Sequence, residues 1–242
     1  MSSCSYVTVN VARFDEPTQL DPLVTDAPVG EPLMWAVGAD ESGSFGSRTS
    51  TTWLALGLHA TMESADAVFD AGLDAVPFFS GATETWGALL QPFSHRGDVN
   101  WIDGADAVSR FETGPAPADE EPFVVITSAG WTVDERFDAD KAMRFAGGVA
   151  AVRSSMDGAD GLFFQHVFNF DSQLMVDGAT VTMWRDDRSM RAFAYRPGTH
   201  KTEMDHYRAN DTADRTSFTR LRLLSSHGSV QGYTPVAAAA AG

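Results

Sequence analysis

The chain repeats one strand–turn–helix pattern, and this repetition limits its fold more than any other feature. Residues 52–72 read as a strand, a polar turn and a helix that ends in an aromatic residue followed three positions later by glycine. Residues 179–198 have the same order and the same ending. The strand exits at residues 90–95 and 221–227 also match, because each carries serine and histidine before a glycine. We interpret the two halves as a duplication.

Each half predicts the element order β-α-β-β-α-β of a ferredoxin-like unit. Apolar alternation and helical periodicity predict strands at 5–13, 33–38, 51–60, 86–93, 123–129, 162–170, 179–184 and 218–224, and helices at 62–75, 138–156, 188–195 and 199–209. Four prolines between residues 15 and 32 exclude a long helix there. One unit leaves a sheet face bare, and a second copy covers it. The fold class is therefore predicted as α+β, with tandem ferredoxin-like repeats that form an intrachain α+β barrel.

The domain boundaries follow from the same pattern. We predict a first repeat at residues 1–110, a linker at 111–121, a second repeat at 122–230 and a tail at 231–242. The whole stretch from 97 to 121 is polar and carries Pro and Gly, which is typical of a linker. The tail is alanine-rich and of low complexity.

Charge and cysteine content exclude several function classes. The net charge of −16, from 33 acidic and 17 basic residues, repels phosphate backbones and anionic lipid. We therefore expect no nucleic-acid partner and no stable membrane insertion, since no apolar run reaches the roughly 18 residues of a span. A single cysteine excludes a disulfide framework or a multi-cysteine metal site. The first ten residues lack a basic leader region, so we expect a cytoplasmic protein.

His166 is the first candidate for a catalytic residue. It shares one predicted strand face with Phe164, Phe168 and Phe170, which predicts a ring that is largely out of solvent. On such a face, a histidine is either a hydrogen-bonded core residue or a neutral imidazole that lines a pocket. In the second case it could act as a general base.

His200 is the second candidate, at the start of a predicted helix behind a Pro-Gly break. One interpretation is a helix N-terminal histidine that caps the helix or pairs with Glu203. Another is a single axial imidazole for a haem, which needs one protein ligand and an apolar slot. His200 and Glu203 together are too few for a structural zinc site.

Several segments resemble the spheroidene monooxygenase family, which are carotenoid-oxidising haem enzymes, and more broadly the dimeric α+β barrel superfamily. Residues 179–200 look like the family's strand–helix segment that ends in Gly-Pro-His, and Arg208 falls where the family has an arginine. Residues 9–14 and 52–60 resemble its first and third strands. Residues 91–97 resemble its Arg-Pro-Leu-Ser-x-Arg-Gly motif. The order of these segments along the chain is also that of the family.

The resemblance implies a haem-dependent, monooxygenase-type oxidation of an apolar small molecule, a carotenoid or another secondary metabolite. It implies haem b as cofactor, with His200 as the iron ligand and Arg208 pairing with a propionate or with a polar group of the substrate. An electron donor would be a further partner. Two other function classes stay open. One is a cofactor-free α+β barrel cyclase or oxygenase of polyketide-type metabolism with His166 as base, and the other is a non-catalytic protein that holds an apolar ligand.

Overall fold

The computed structural model describes residues 2–19, 29–40, 49–98, 108–170, 175–210 and 213–231. They contain ten strands: β1 (Ser2–Cys4), β2 (Tyr6–Gln19), β3 (Met34–Asp40), β4 (Thr49–His59), β5 (Glu84–Gly97), β6 (Val108–Phe111), β7 (Phe123–Thr132), β8 (Leu162–Asn169), β9 (Met175–Trp184) and β10 (Arg215–Gly228). The predicted tail lies almost entirely outside the described residues, as does the centre of the proline-rich stretch.

Eight of these strands form one closed barrel in the order β10-β5-β2-β4-β3-β8-β9-β7. The first half (β2–β5) and the second half (β7–β10) have the same internal order, with the fourth strand beside the first and the third beside the second. The halves meet at two seams. Eleven residue pairs join β10 to β5, whereas two pairs join β3 to β8. The α+β barrel that the repeat pattern predicts is therefore confirmed.

The described residues also contain four α-helices outside the barrel: α1 (Met62–Ala71), α2 (Ala139–Met156), α3 (Asp187–Tyr195) and α4 (Thr199–Asn210). The first three begin at polar residues whose side chains accept a hydrogen bond from a backbone N–H of the first turn. These N-caps are Thr61, Asp138 and Asp186. No helix among the described residues is long and apolar enough to cross a membrane.

Strand alternation separates the interior of the barrel from the surfaces beneath the helices. Inward residues of all eight strands form one large apolar cluster, which includes Val9, Leu56, Trp86 and Val181. Outward residues form separate clusters. One packs beneath α3 around Trp184, and another packs beneath α2 around Trp131. The second half thus has an interior face and a helix-covered outer face, and either could hold a ligand.

The structure differs from the sequence prediction in two segments. The polar stretch 97–121 contains β6, for which no strand was predicted; β6 pairs in parallel with β1 and places Val108 and Phe111 in the interior cluster beside Cys4. Strand β2 runs on to Gln19 through Pro17, because a bulge between Arg13 and Thr18 interrupts its pairing with β4. Strand β6 was not predicted, because its four residues, flanked by polar segments, are too short to show a strand pattern in the sequence.

Candidate active site

His166 lies in the middle of β8 and is 3% exposed. Its ring lies between Phe164 and Phe168, with centroid distances of 5.9 and 5.5 Å. Both phenylalanines belong to the interior cluster, and Trp86 contacts Phe164 from β5 at 5.0 Å. The sequence-based prediction that this ring is largely out of solvent is confirmed.

Asp40, at the end of β3, holds the ring of His166. The His166 Nδ1 lies 3.3 Å from Asp40 Oδ2, and a carboxylate can only accept a hydrogen bond, so we assign the proton to Nδ1. The same carboxylate accepts from the backbone N–H of Val167 at 3.2 Å and from Arg153 of α2 at 3.4 Å. Within the described part of the chain, His166 Nε2 is buried and has no hydrogen-bond partner. This arrangement leaves a lone pair on Nε2, as a general base requires.

Asp40 is a residue that the sequence analysis missed. It ends an apolar strand, a position that most often holds a solvated turn residue. Its contact with His166 depends on the seam between β3 and β8, which joins residues 126 positions apart. An acidic residue on the inward register of a buried strand is the only sequence signal for it.

His200 lies in the first turn of α4, outside the barrel, and is half-buried. Its Nδ1 donates to the backbone oxygen of Ala194 at 3.0 Å, and its ring packs on Phe193 at 5.3 Å. Burial lowers the pKa of His200, so the ring is neutral at pH 7. With Nδ1 protonated, the lone pair is on Nε2, which is the form that binds a metal. The suggested pairing with Glu203 is not formed.

A cavity of about 80 Å³ lies on the outer face of the second half, between α2 and the sheet. Its apolar wall includes Trp131, Phe145 and Val149, and its floor includes Thr127 and Thr180. Thr127 is exposed although it lies between two helix-covered clusters, so the cavity opens to solvent there. This cleft lies on the same outer face as the helix that carries His200.

Helix α4 is docked on α2 through Tyr207. The Tyr207 hydroxyl donates to the backbone oxygen of Phe145 at 3.2 Å, and the two rings lie 4.6 Å apart. Burial and the nearby charge of Glu203 raise the pKa of Tyr207. Gly148 makes this approach possible, because a Cβ there would lie 1.8 Å from the Tyr207 hydroxyl. One residue of the cleft wall, Phe145, thus also fixes the helix of His200.

The structure does not bring His166 and His200 together. His166 faces the barrel interior, whereas His200 lies outside the barrel between α3 and α4. Arg208 is on α4 two turns after His200, and its side chain lies outside the described residues. Among the residues that the structure describes, no group of three or more His, Cys, Asp or Glu side chains could hold a metal ion.

Comparison with known proteins adds information on the fold. No protein-family model matches the chain, and no curated protein matches it. Among solved structures, an aldoxime dehydratase (OxdRE) in complex with butyraldoxime superposes with a TM-score of 0.56 at 9% identity. That match covers 91% of this chain and 80% of the other.

Two further matches cover nearly the whole chain at lower TM-scores. A proposed monooxygenase from Fusobacterium nucleatum matches with a TM-score of 0.39 at 11% identity, over 99% of this chain and 100% of the other. An anthrone oxidase-like protein matches with a TM-score of 0.33 at 12% identity, over 98% and 97%. Membership of the spheroidene monooxygenase family stays a prediction. What the comparisons show is the fold: this chain is similar to aldoxime dehydratase OxdRE in its α+β barrel architecture.

Proposed function

We propose that the protein is a monooxygenase-type oxidoreductase that oxidises an apolar small molecule with a haem b held by His200. The observation that carries the proposal is the anchored ring of His200. Its Nδ1–H is bound to the Ala194 oxygen, so the lone pair of the neutral ring lies on Nε2. The resemblance of residues 179–200 to the haem-binding segment of spheroidene monooxygenases supplies the type of reaction.

The residues present suit the ligand chemistry of a haem. A haem needs one neutral imidazole and an apolar slot, and a hydrogen bond to the second ring nitrogen orients a ligating histidine. His200 meets the first requirement, and Trp131, Phe145 and Val149 offer apolar surface in the cleft on the same face. The cavity is smaller than a porphyrin and His200 is not among its lining residues, so haem binding requires both α2 and α4 to move relative to the sheet.

A bound haem would supply oxygen activation, and the protein would supply the ligand through His200, a dry environment and the placement of the substrate. Phe193 and the Ala194 carbonyl keep the ring of His200 from turning. Tyr207 keeps α4 against α2 and thereby fixes the distance between His200 and the cleft wall. Arg208, on the same helix, would pair with a propionate. The substrate would be a carotenoid or another apolar secondary metabolite.

The test is a hemin titration of the apoprotein followed by visible absorption. We expect a Soret band with the wild type and a weakened or shifted band with His200→Ala. The matched control is His206→Ala, because His206 is an exposed histidine of the same helix that contacts Asn210 and Tyr207. That variant should give the wild-type band.

Each other outcome contradicts a defined part of the proposal. No band with the wild type would refute haem binding and favour the cofactor-free base, His166, or a ligand-holding protein. An equal loss of the band in both histidine variants would indicate damage to α4 rather than loss of the ligand. A band unchanged by His200→Ala would keep the haem and refute His200 as its ligand.

A further inference from the structure

The interior of the barrel contains unpartnered polar atoms that the proposed haem site does not use. Trp86 and His166 are 1% and 3% exposed, and both rings contact Phe164. Within the described residues, neither Trp86 Nε1 nor His166 Nε2 has a hydrogen-bond partner. Leaving a buried polar atom unpaired costs about 1–3 kcal/mol, so two such atoms beside one ring call for an explanation.

The two atoms have complementary chemistry. The indole Nε1 carries a hydrogen and can only donate. His166 Nε2 carries a lone pair, because the carboxylate of Asp40 holds the proton on Nδ1. The carboxylate is itself fixed by Val167 and Arg153, so the ring cannot change its tautomer without losing that contact. A hydroxyl group is the simplest partner that accepts from one atom and donates to the other.

The surroundings indicate what carries the hydroxyl. Phe164 and Phe168 flank His166 on the same strand face, and Trp86 meets Phe164 edge-on at 69°. Aromatic rings prefer such edge-on or offset partners. Ala88 and Ala179, inward residues of β5 and β9, have smaller side chains than the leucines elsewhere in the cluster. An aromatic ring that bears a hydroxyl group matches this wall better than an aliphatic alcohol.

The strands of the barrel are strongly staggered. Followed from Thr85 of β5 through the paired residues of every strand, one row of the sheet returns beside Asp98, the residue after the end of β5, rather than at its starting point. Strand number and stagger together set the diameter of a barrel, and some eight-stranded barrels hold one small ligand in their interior.

We propose that the barrel interior binds a small phenol, whose hydroxyl donates to His166 Nε2 and accepts from Trp86 Nε1. This site is separate from the cleft and from His200. His166 is then the residue that recognises the hydroxyl, and Asp40 is the positioning residue that keeps its Nε2 free to accept.

The experiment is a titration of the protein with 4-fluorophenol followed by fluorine NMR, with fluorobenzene as the matched probe that lacks the hydroxyl. We expect saturable binding of 4-fluorophenol and at least about tenfold weaker binding of fluorobenzene, which is the effect of one or two hydrogen bonds. Trp86→Phe keeps the aromatic wall and removes the donor, so it should weaken 4-fluorophenol about tenfold and leave fluorobenzene unchanged. His166→Leu should act in the same direction.

Other results overturn the proposal. No saturable binding would mean that the two atoms share a buried water only. Equal affinity for 4-fluorophenol and fluorobenzene would indicate an apolar cavity that does not recognise the hydroxyl group. His200→Ala is expected to leave 4-fluorophenol binding unchanged, and a loss of binding there would place the phenol in the cleft. Circular dichroism checks that each variant is folded. If His166→Leu does not fold, the result for Trp86→Phe alone tests the proposal.

Discussion

Lowering the pH should destabilise the protein through His59, which is fully buried beneath α1. Thr8 Oγ1 lies 2.9 Å from His59 Nε2, and Ser64 Oγ lies 2.8 Å from Nδ1. Ser64 uses its hydrogen to bind the oxygen of Gly30, so it accepts from Nδ1–H, and Nε2 accepts from Thr8. Both nitrogens are therefore satisfied only when the ring is neutral.

The magnitude follows from the pKa of this ring. Burial lowers the pKa of His59 from 6.5 to about 4 in the folded protein. Between these two values the unfolded chain binds a proton that the folded chain does not bind, so stability is complete above pH 6.5 and falls as the pH drops toward 4. At about 1.4 kcal/mol per pH unit, the total loss is about 3 kcal/mol.

The assay is urea unfolding at a series of pH values and fixed ionic strength, on the wild type, His59→Gln and His206→Gln. His59→Gln costs stability at neutral pH but removes the titrating group, so its deficit should shrink by about 2–3 kcal/mol on acidification. His206→Gln should follow the wild type, because His206 is exposed. The argument would be refuted if the free energies of unfolding of the wild type and of His59→Gln changed in parallel with pH. The acidic groups are common to both proteins, so their contributions cancel in the difference between the two curves.

Two further predictions concern packing and charge. Gly148→Ala should lower stability in thermal unfolding by about 1–3 kcal/mol, because its Cβ would lie 1.8 Å from the Tyr207 hydroxyl. The control is Gly147→Ala in the same helix, where nothing lies within 4 Å of the added Cβ. It should be neutral or raise stability by up to about 1 kcal/mol. Equal changes in stability for the two variants would contradict the docking of α4 on α2. The net charge of −16 predicts that the urea midpoint rises with potassium chloride, because salt screens repulsion between like charges, and a midpoint independent of salt would refute this.

Most of the fold could be predicted from the sequence, because local patterns specify most of its elements. The helix predicted at 138–156 is Ala139–Met156, and the strand predicted at 162–170 is Leu162–Asn169. Apolar periodicity and polar caps determine such bounds without help from the rest of the chain. The duplication then determined how the strands assemble, because two sheets with one bare face each must cover each other.

The candidate site was less predictable, since its contacts join distant parts of the chain. The burial of His166 follows from its strand face, but its partner Asp40 depends on which strands meet at the seam. His200 became a candidate because of its motif, whereas its hydrogen bond to the Ala194 oxygen depends on the turn between α3 and α4. Short β6 was missed because its pairing with β1 is specified by tertiary contacts rather than by its own four residues.

The two seams of the ring have a consequence for assembly. Both join a strand of the first half to a strand of the second, and no other pairing within the ring crosses between halves. The same contacts would form if each half paired with the complementary half of another molecule, giving two rings from two exchanged chains. Refolding at high protein concentration therefore has a reciprocal dimer as a competing product. Its share should grow with concentration, while every strand keeps the neighbours that it has in the monomer.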